Sequence, residues 1–127
     1  METYIHKLNS KNETPLFNAC ESGNEAVVKY LVENGASIHK INYDGETPLF
    51  KACKNGHIDI VKYLVELGAN RNKINNNGET PILIAFKNNH NNIVKYLDEY
   101  KKNKVNNGSE TPLFITIKNG DKDIVKY

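Results

Sequence analysis

Apolar residues along this chain fall into short clusters that recur at a fixed interval. Behind a Thr-Pro pair come Leu49-Phe50 and Ala52-Cys53, and after a polar break come Ile60-Val61 and Leu64-Val65. Leu49, Ala52 and Cys53 share one face of a short helix, and Ile60, Val61 and Leu64 share one face of a second. The anchoring threonines are Thr14, Thr47, Thr80 and Thr111, spaced by 33, 33 and 31 residues. Such a period marks a repeat array, in which each unit buries its apolar stripe only against its neighbours. The pattern predicts an all-α repeat solenoid of helix-turn-helix units over residues 1–127. The units run over 9–41, 42–74, 75–105 and 106–127, the last incomplete.

Polar and special residues punctuate each unit in a consistent way. Thr47 is suited to cap a helix with its hydroxyl, and Pro48 fits the first helical position, where a missing N–H costs nothing. Gly56 and Gly68 are placed to end the two helices in the left-handed region, and Asn89 stands at the first of these stops in the third unit. Between units, Asp44-Gly45 and Asn77-Gly78 predict tight turns at the tips of extended excursions. Neither helix is long enough to persist alone, so stacking must supply the stability. Small residues at one repeat position, Ala19, Ala52, Ala85 and Thr116, allow close helix approach.

The best copy, GETPLFKACKNGHIDIVKYLVELGAN, carries Gly-x-Thr-Pro-Leu, Gly-His and Leu-x-x-x-Gly-Ala elements. With these residues, over roughly 9–127, the chain resembles the ankyrin-repeat family. The resemblance implies a β-turn or short hairpin loop plus two antiparallel helices per unit, and binding of other proteins through turn tips and first helices. The implied contact residues are Tyr43, Asp44, Glu46, Lys54 and Asn55 of the second unit. Asn76, Asn77, Glu79, Lys87 and Asn88 extend the surface from the third, with Ile84 as an apolar anchor if exposed. The leading expectation is therefore a scaffold or adaptor that binds a protein. The alternative is a structural segment that positions or caps neighbouring repeats without a direct partner.

This sequence also departs from the family pattern. Phe17, Phe50 and Phe114 stand where the family places His after Thr-Pro-Leu, and Leu83 stands there in the third copy. Aromatic packing is expected to replace the missing imidazole hydrogen bonds. Lys101-Lys102 replace the terminal Gly-Ala of the third unit, and Asp98 replaces the apolar Val32 and Val65. A kinked or loosely docked joint is expected there. Residues 1–9 read as a partial cap with Tyr4, Ile5 and Leu8 turned inward. The stop at Tyr127, before the leucine that follows Tyr30, Tyr63 and Tyr96, reads as a piece of a longer array.

Composition narrows the function classes. A formal charge of +2 from 17 basic and 15 acidic residues supplies no field for nucleic acid or anionic membranes. The tract Lys101-Lys102-Asn103-Lys104 reads as a solvated turn. No apolar run reaches the length of a membrane span, and no secretory leader is evident, so the expectation is an intracellular chain, cytoplasmic or nuclear, monomeric as an isolated segment. Cys20 and Cys53 lie one period apart, on helices about 8–10 Å apart, beyond the roughly 7 Å reach of a disulfide. They read as small buried apolar residues.

Candidate chemistry is equally bland. His57 and His90 share a repeat position and read as inter-repeat hydrogen-bond residues, with no ligand spacing for a metal and no cofactor implied. Glu13, Glu46, Glu79 and Glu110 all precede Thr-Pro and read as a solvated turn edge or favourable charge near a helix start. The chain is read as non-enzymatic. The column Tyr30, Tyr63, Tyr96 and Tyr127, beside Lys29, Lys62, Lys95 and Lys126, reads as a structural spine, with a second docking strip as the sharper reading.

Overall fold

The computed structural model describes residues 2–108. These fall into two units, one running through Val94 and one beginning at Lys95. The helices among the described residues are α1 (Glu2–Ile5), α2 (Pro15–Ser22), α3 (Glu25–Glu33), α4 (Pro48–Asn55), α5 (Ile58–Glu66), α6 (Pro81–Lys87) and α7 (Asn91–Gly108). No strand occurs among the described residues, in keeping with the all-α class read from the repeat. Of the expected fourth unit, residues 109–127, including Glu110, Thr111, Phe114, Thr116, Lys126 and Tyr127, lie outside them.

Each first helix begins as its sequence dictates. Thr14, Thr47 and Thr80 are extended, with ψ of 171°, 172° and 166°, and proline follows at the first helical position. The ends also follow the sequence: Gly23 and Gly56 take φ of 84° and 79°, and Asn89 takes 66° in the third copy. The expected hydroxyl caps are corrected in two copies of three. Only the Thr80 hydroxyl accepts a backbone N–H, that of Leu83 at 3.3 Å. Those of Thr14 and Thr47 are buried without a hydrogen-bond partner. The difference follows the residue three places on. Phe17 and Phe50 are 0% and 1% exposed, packing where the family has a polar imidazole, while Leu83 is 38% exposed.

Stacking proceeds unit on unit. Helix α2 packs on α4 and α4 on α6, α2 and α4 each pack on the helix that follows, and α3 lies against α5. Leu16, Phe17, Leu49, Phe50, Val28, Leu31, Ile60, Leu64 and Ile93 form the core, none more than 2% exposed. Cys20 and Cys53 are free thiols inside it. Burial pushes the Cys20 thiol up to about 12 and raises Cys53 further, so both behave as apolar filler. The leading segment is a weaker cap than expected. Ile5 is buried, but Tyr4 and Leu8 are 62% and 46% exposed and line an open groove of about 500 Å³ beside Pro15, Ala19 and Val27.

Histidines staple consecutive units together. His57 Nε2 lies 3.0 Å from the Glu21 carbonyl oxygen, and His90 Nε2 lies 2.9 Å from that of Lys54. Nε2 must carry the proton for either bond, since a carbonyl only accepts. Each ring lies over a glycine of the preceding unit. A Cβ on Gly23 would come within 2.5 Å of the His57 ring, and one on Gly56 within 2.7 Å of His90. Glycine is thus required twice at these positions, for its backbone angle and for its missing side chain. On the second helices, the Lys29 ammonium sits 5.6 Å from the Tyr63 ring centre, which supports the structural reading of the Lys-Tyr column.

The third second-helix differs in length. Helix α5 has 9 residues, whereas α7 has 18 and runs through the expected boundary at 105. The tract Lys101–Lys104, expected as a turn, is helical, because no glycine or proline interrupts the chain between Lys101 and Gly108. Beyond Val94, Asp98 is exposed and the Tyr96 and Tyr100 rings are 5.9 Å apart.

Two stability experiments follow from this packing. Gly56→Ala should lower unfolding free energy by more than the roughly 1–2 kcal/mol of a left-handed backbone penalty, and should cost only about that much in a His90→Ala background. Urea titration of the four proteins checks the coupling. By the same measurement, Thr80→Val should cost about 0.5–2 kcal/mol, the usual worth of an N-cap. Thr47→Val should be neutral or stabilising, because it deletes a buried hydroxyl with no partner.

Candidate protein-interaction surface

The turns between units are built on asparagine. Asn42 Oδ1 accepts the backbone N–H groups of Asp44 at 2.9 Å and Glu46 at 3.0 Å. Asn75 does the same for Asn77 and Glu79, and Asn9 for Lys11 and Glu13. Each turn is closed at its base by the asparagine N–H donating to the glutamate carbonyl, at 2.9 Å in all three. Gly45 and Gly78 complete the tips at φ of 76° and 78°, so the turns expected at Asp44-Gly45 and Asn77-Gly78 are present.

The same asparagines tie one turn to the next. Asn42 Nδ2 donates to the Glu13 carboxylate of the preceding unit at 2.7 Å, and Asn75 Nδ2 donates to Glu46 at 2.7 Å. Backbone bonds run alongside, from Tyr43 N–H to the Lys11 carbonyl at 3.1 Å and from Asn76 N–H to that of Asp44 at 2.9 Å. Asn12 and Asn76 add side-chain bonds to the Ile41 and Tyr43 carbonyls. Successive turns are therefore held in register by polar contacts as well as by the helices beneath.

This corrects the reading of the repeated glutamates as solvated. Glu13 is 4% exposed, and Glu46 and Glu79 are half-buried. A buried carboxylate is tolerable only when paired. Asn42, Asn9 and the Lys51 ammonium, 3.3 Å away, surround that of Glu13. Burial would raise its pKa, but the amide donors and the Lys51 charge together outweigh burial and hold it below the ordinary glutamate value. Glu79 is likewise lowered, by Lys87 first and then Asn75, against a smaller opposing effect of burial. Lys51 also reaches Glu21 at 3.9 Å.

Most of the expected contact residues sit on this frame. Tyr43 is 70% exposed at the turn tip, with Asp44, Asn76 and Asn77 also exposed. Lys54, Asn55, Lys87 and Asn88 are exposed at the ends of α4 and α6. Glu46 and Glu79 instead hold the turns, through Asn75 and Lys87. Ile84 is corrected as an anchor: it is 9% exposed, at a covered position where even the Lys51 side chain is only 13% exposed. The residues that sequence reasoning passed over are Asn9, Asn42 and Asn75. Their signal was available, since Asn-x-x-x-Glu precedes Thr-Pro in every copy.

No group of three or more His, Cys, Asp or Glu among the described residues could hold a metal ion. The carboxylates of Glu13, Glu46 and Glu79 serve amide and ammonium donors, and His57 and His90 serve the stacking. No helix among the described residues is long and apolar enough to cross a membrane. The sequence matches the family model described as ankyrin repeats, in three copies, over residues 2–75 and again over 67–127. No curated protein matches the chain.

The Glu13 site makes stability depend on pH with a definite sign. Its folded pKa lies below its unfolded value of about 4.3, so its stabilisation is complete above that value and is lost as pH falls through the folded pKa. Denaturation midpoints followed from neutral into acid pH should fall more steeply for the native sequence than for Glu13→Gln in that window. Parallel curves would remove Glu13 from the account.

Proposed function

Since the chain belongs to the ankyrin-repeat family, we propose that it is a non-catalytic scaffold that binds a partner protein through its turn tips and the ends of its first helices. The fold generally mediates protein–protein contacts. The finer assignment rests on one observation, the registered ladder of turns held by Asn42 and Asn75. A turn fixed in this way presents Tyr43, Asp44, Asn76 and Asn77 with little ordering cost on binding. Lys54, Asn55, Lys87 and Asn88 provide a second row on α4 and α6. Tyr43 is the strongest anchor, because a rigid aromatic contributes most when desolvated, while the surrounding polar groups set orientation. Glu46 and Glu79 act through the turns they hold. Ile84 is left out of the contact set.

Affinity capture from extracts of the cells that make the chain, followed by titration with the recovered partner, tests this reading. Tyr43→Ala with Asn76→Ala, and Lys54→Ala with Lys87→Ala, should each weaken binding by about tenfold or more. Unchanged affinity in both double variants would overturn the contact face. Failure to recover any partner would favour an array that only positions its neighbours.

A further inference from the structure

Asparagine followed by glycine is a reactive pair. The glycine nitrogen can attack the asparagine side-chain carbonyl, and no Cβ hinders the approach. In the unit ending at Val94 the pairs are Asn34-Gly35, Asn55-Gly56 and Asn77-Gly78. Each of these asparagines is exposed. Each glycine N–H is engaged: Gly35 donates to the Val32 carbonyl at 3.1 Å, Gly56 to that of Ala52, and Gly78 to that of Asn75 at 3.0 Å. Exposure and backbone bonding therefore do not rank the pairs.

The side-chain amides do. Asn34 Nδ2 donates to the Tyr30 carbonyl at 2.7 Å, and Asn55 Nδ2 donates to that of Lys51 at 2.9 Å. Both stand at helix ends, Asn34 just after α3 and Asn55 as the last residue of α4, where a side-chain amide can share a carbonyl of the last turn. Each must break that bond before its Cγ can turn toward the following nitrogen. Asn77 is held only by its backbone N–H, which donates to Asn75 Oδ1 at 2.9 Å, and its side chain has no hydrogen-bond partner among the described residues. Asn75 already supplies the acceptor that the turn requires, so the amide at the tip is left over.

We propose that Asn77 is a self-modification site, deamidating through a cyclic imide ahead of Asn34 and Asn55. Solvent base takes the Gly78 N–H proton, the nitrogen bonds to Asn77 Cγ, and the Cγ–Nδ2 bond breaks to release ammonia. Water then opens the imide at either carbonyl, leaving aspartate or isoaspartate. Aspartate suits the turn, since Asp44 stands at the equivalent tip with its N–H held by Asn42 Oδ1 at 2.9 Å. Isoaspartate adds a methylene to the backbone between residues 77 and 78, inside the turn that Asn75 closes onto Glu79. Either product places a new negative charge at the tip.

Incubation of the full 127-residue chain at mildly alkaline pH, with peptide mapping by mass spectrometry, tests this. Asn77 should convert about fivefold or more faster than Asn34 and Asn55, the factor that one side-chain hydrogen bond supplies. In urea sufficient to unfold the chain the rates should converge, because no folded bond then has to break. Backbone fragmentation should find isoaspartate as well as aspartate at 77. Conversion of Asn34 or Asn55 as fast as Asn77 in the folded chain overturns the assignment. So does an order of rates that urea leaves unchanged, or a residue 77 that stays intact while the others react. Aspartate without isoaspartate would indicate direct hydrolysis and overturn the cyclic route.

Discussion

The amide of Asn75 makes four hydrogen bonds, two accepted from its own turn and two donated to carboxylates, one of which belongs to the preceding unit. Asn42 repeats the arrangement toward Glu13. Asparagine is suited to this place because its side chain combines a carbonyl that can organise a turn with an NH₂ that can reach out of it. Without the donor, the glutamate of the preceding turn would be half-buried or buried with too few partners, at a cost of a few kcal/mol for a charged group. Without the acceptor, the two turn N–H groups would lose their partner. The turns are thus neither independent loops nor strands of a sheet. They form a polar ladder beside the stacked helices.

Beneath the ladder, apolar stacking and the His–Gly staples supply the rest. His57 and His90 bond to the preceding unit over glycines that leave room for their rings, so one residue pair sets both the helix end and the distance between units. A surface ordered in this way would lose little entropy on binding the partner proposed above. The hydroxyls of Thr14 and Thr47 are buried beside the Phe17 and Phe50 rings without a hydrogen-bond partner.

Much of this was legible in the amino-acid pattern. Pro48 and Gly56 marked the helix ends, Leu49, Ile60 and Leu64 marked the core, and the shared position of His57 and His90 pointed to stacking. Individual residue environments were harder to read. Glu13 looks solvated by type, and only the next unit, whose turn brings Asn42 and whose helix α4 brings Lys51 to it across 29 and 38 positions, reveals it as buried. Ile84 is an anchor only if exposed, and the burial of its position, where the Lys51 side chain is also covered, is not visible in residue type. Leu8 reads as an inward cap residue, and Ile41 and Ile74 as ordinary apolar residues, yet all three are exposed. Periodicity identifies equivalent positions; it does not say which side of the chain faces water.

The central claim is that a side-chain bond couples one unit to the next. A double-mutant cycle on Glu46→Ala and Asn75→Ala, read by chemical denaturation, measures that coupling most directly. The account predicts an interaction energy of about 1–3 kcal/mol, as expected for a partly buried hydrogen bond to a charged group. Additivity of the two substitutions within about 0.5 kcal/mol would contradict it.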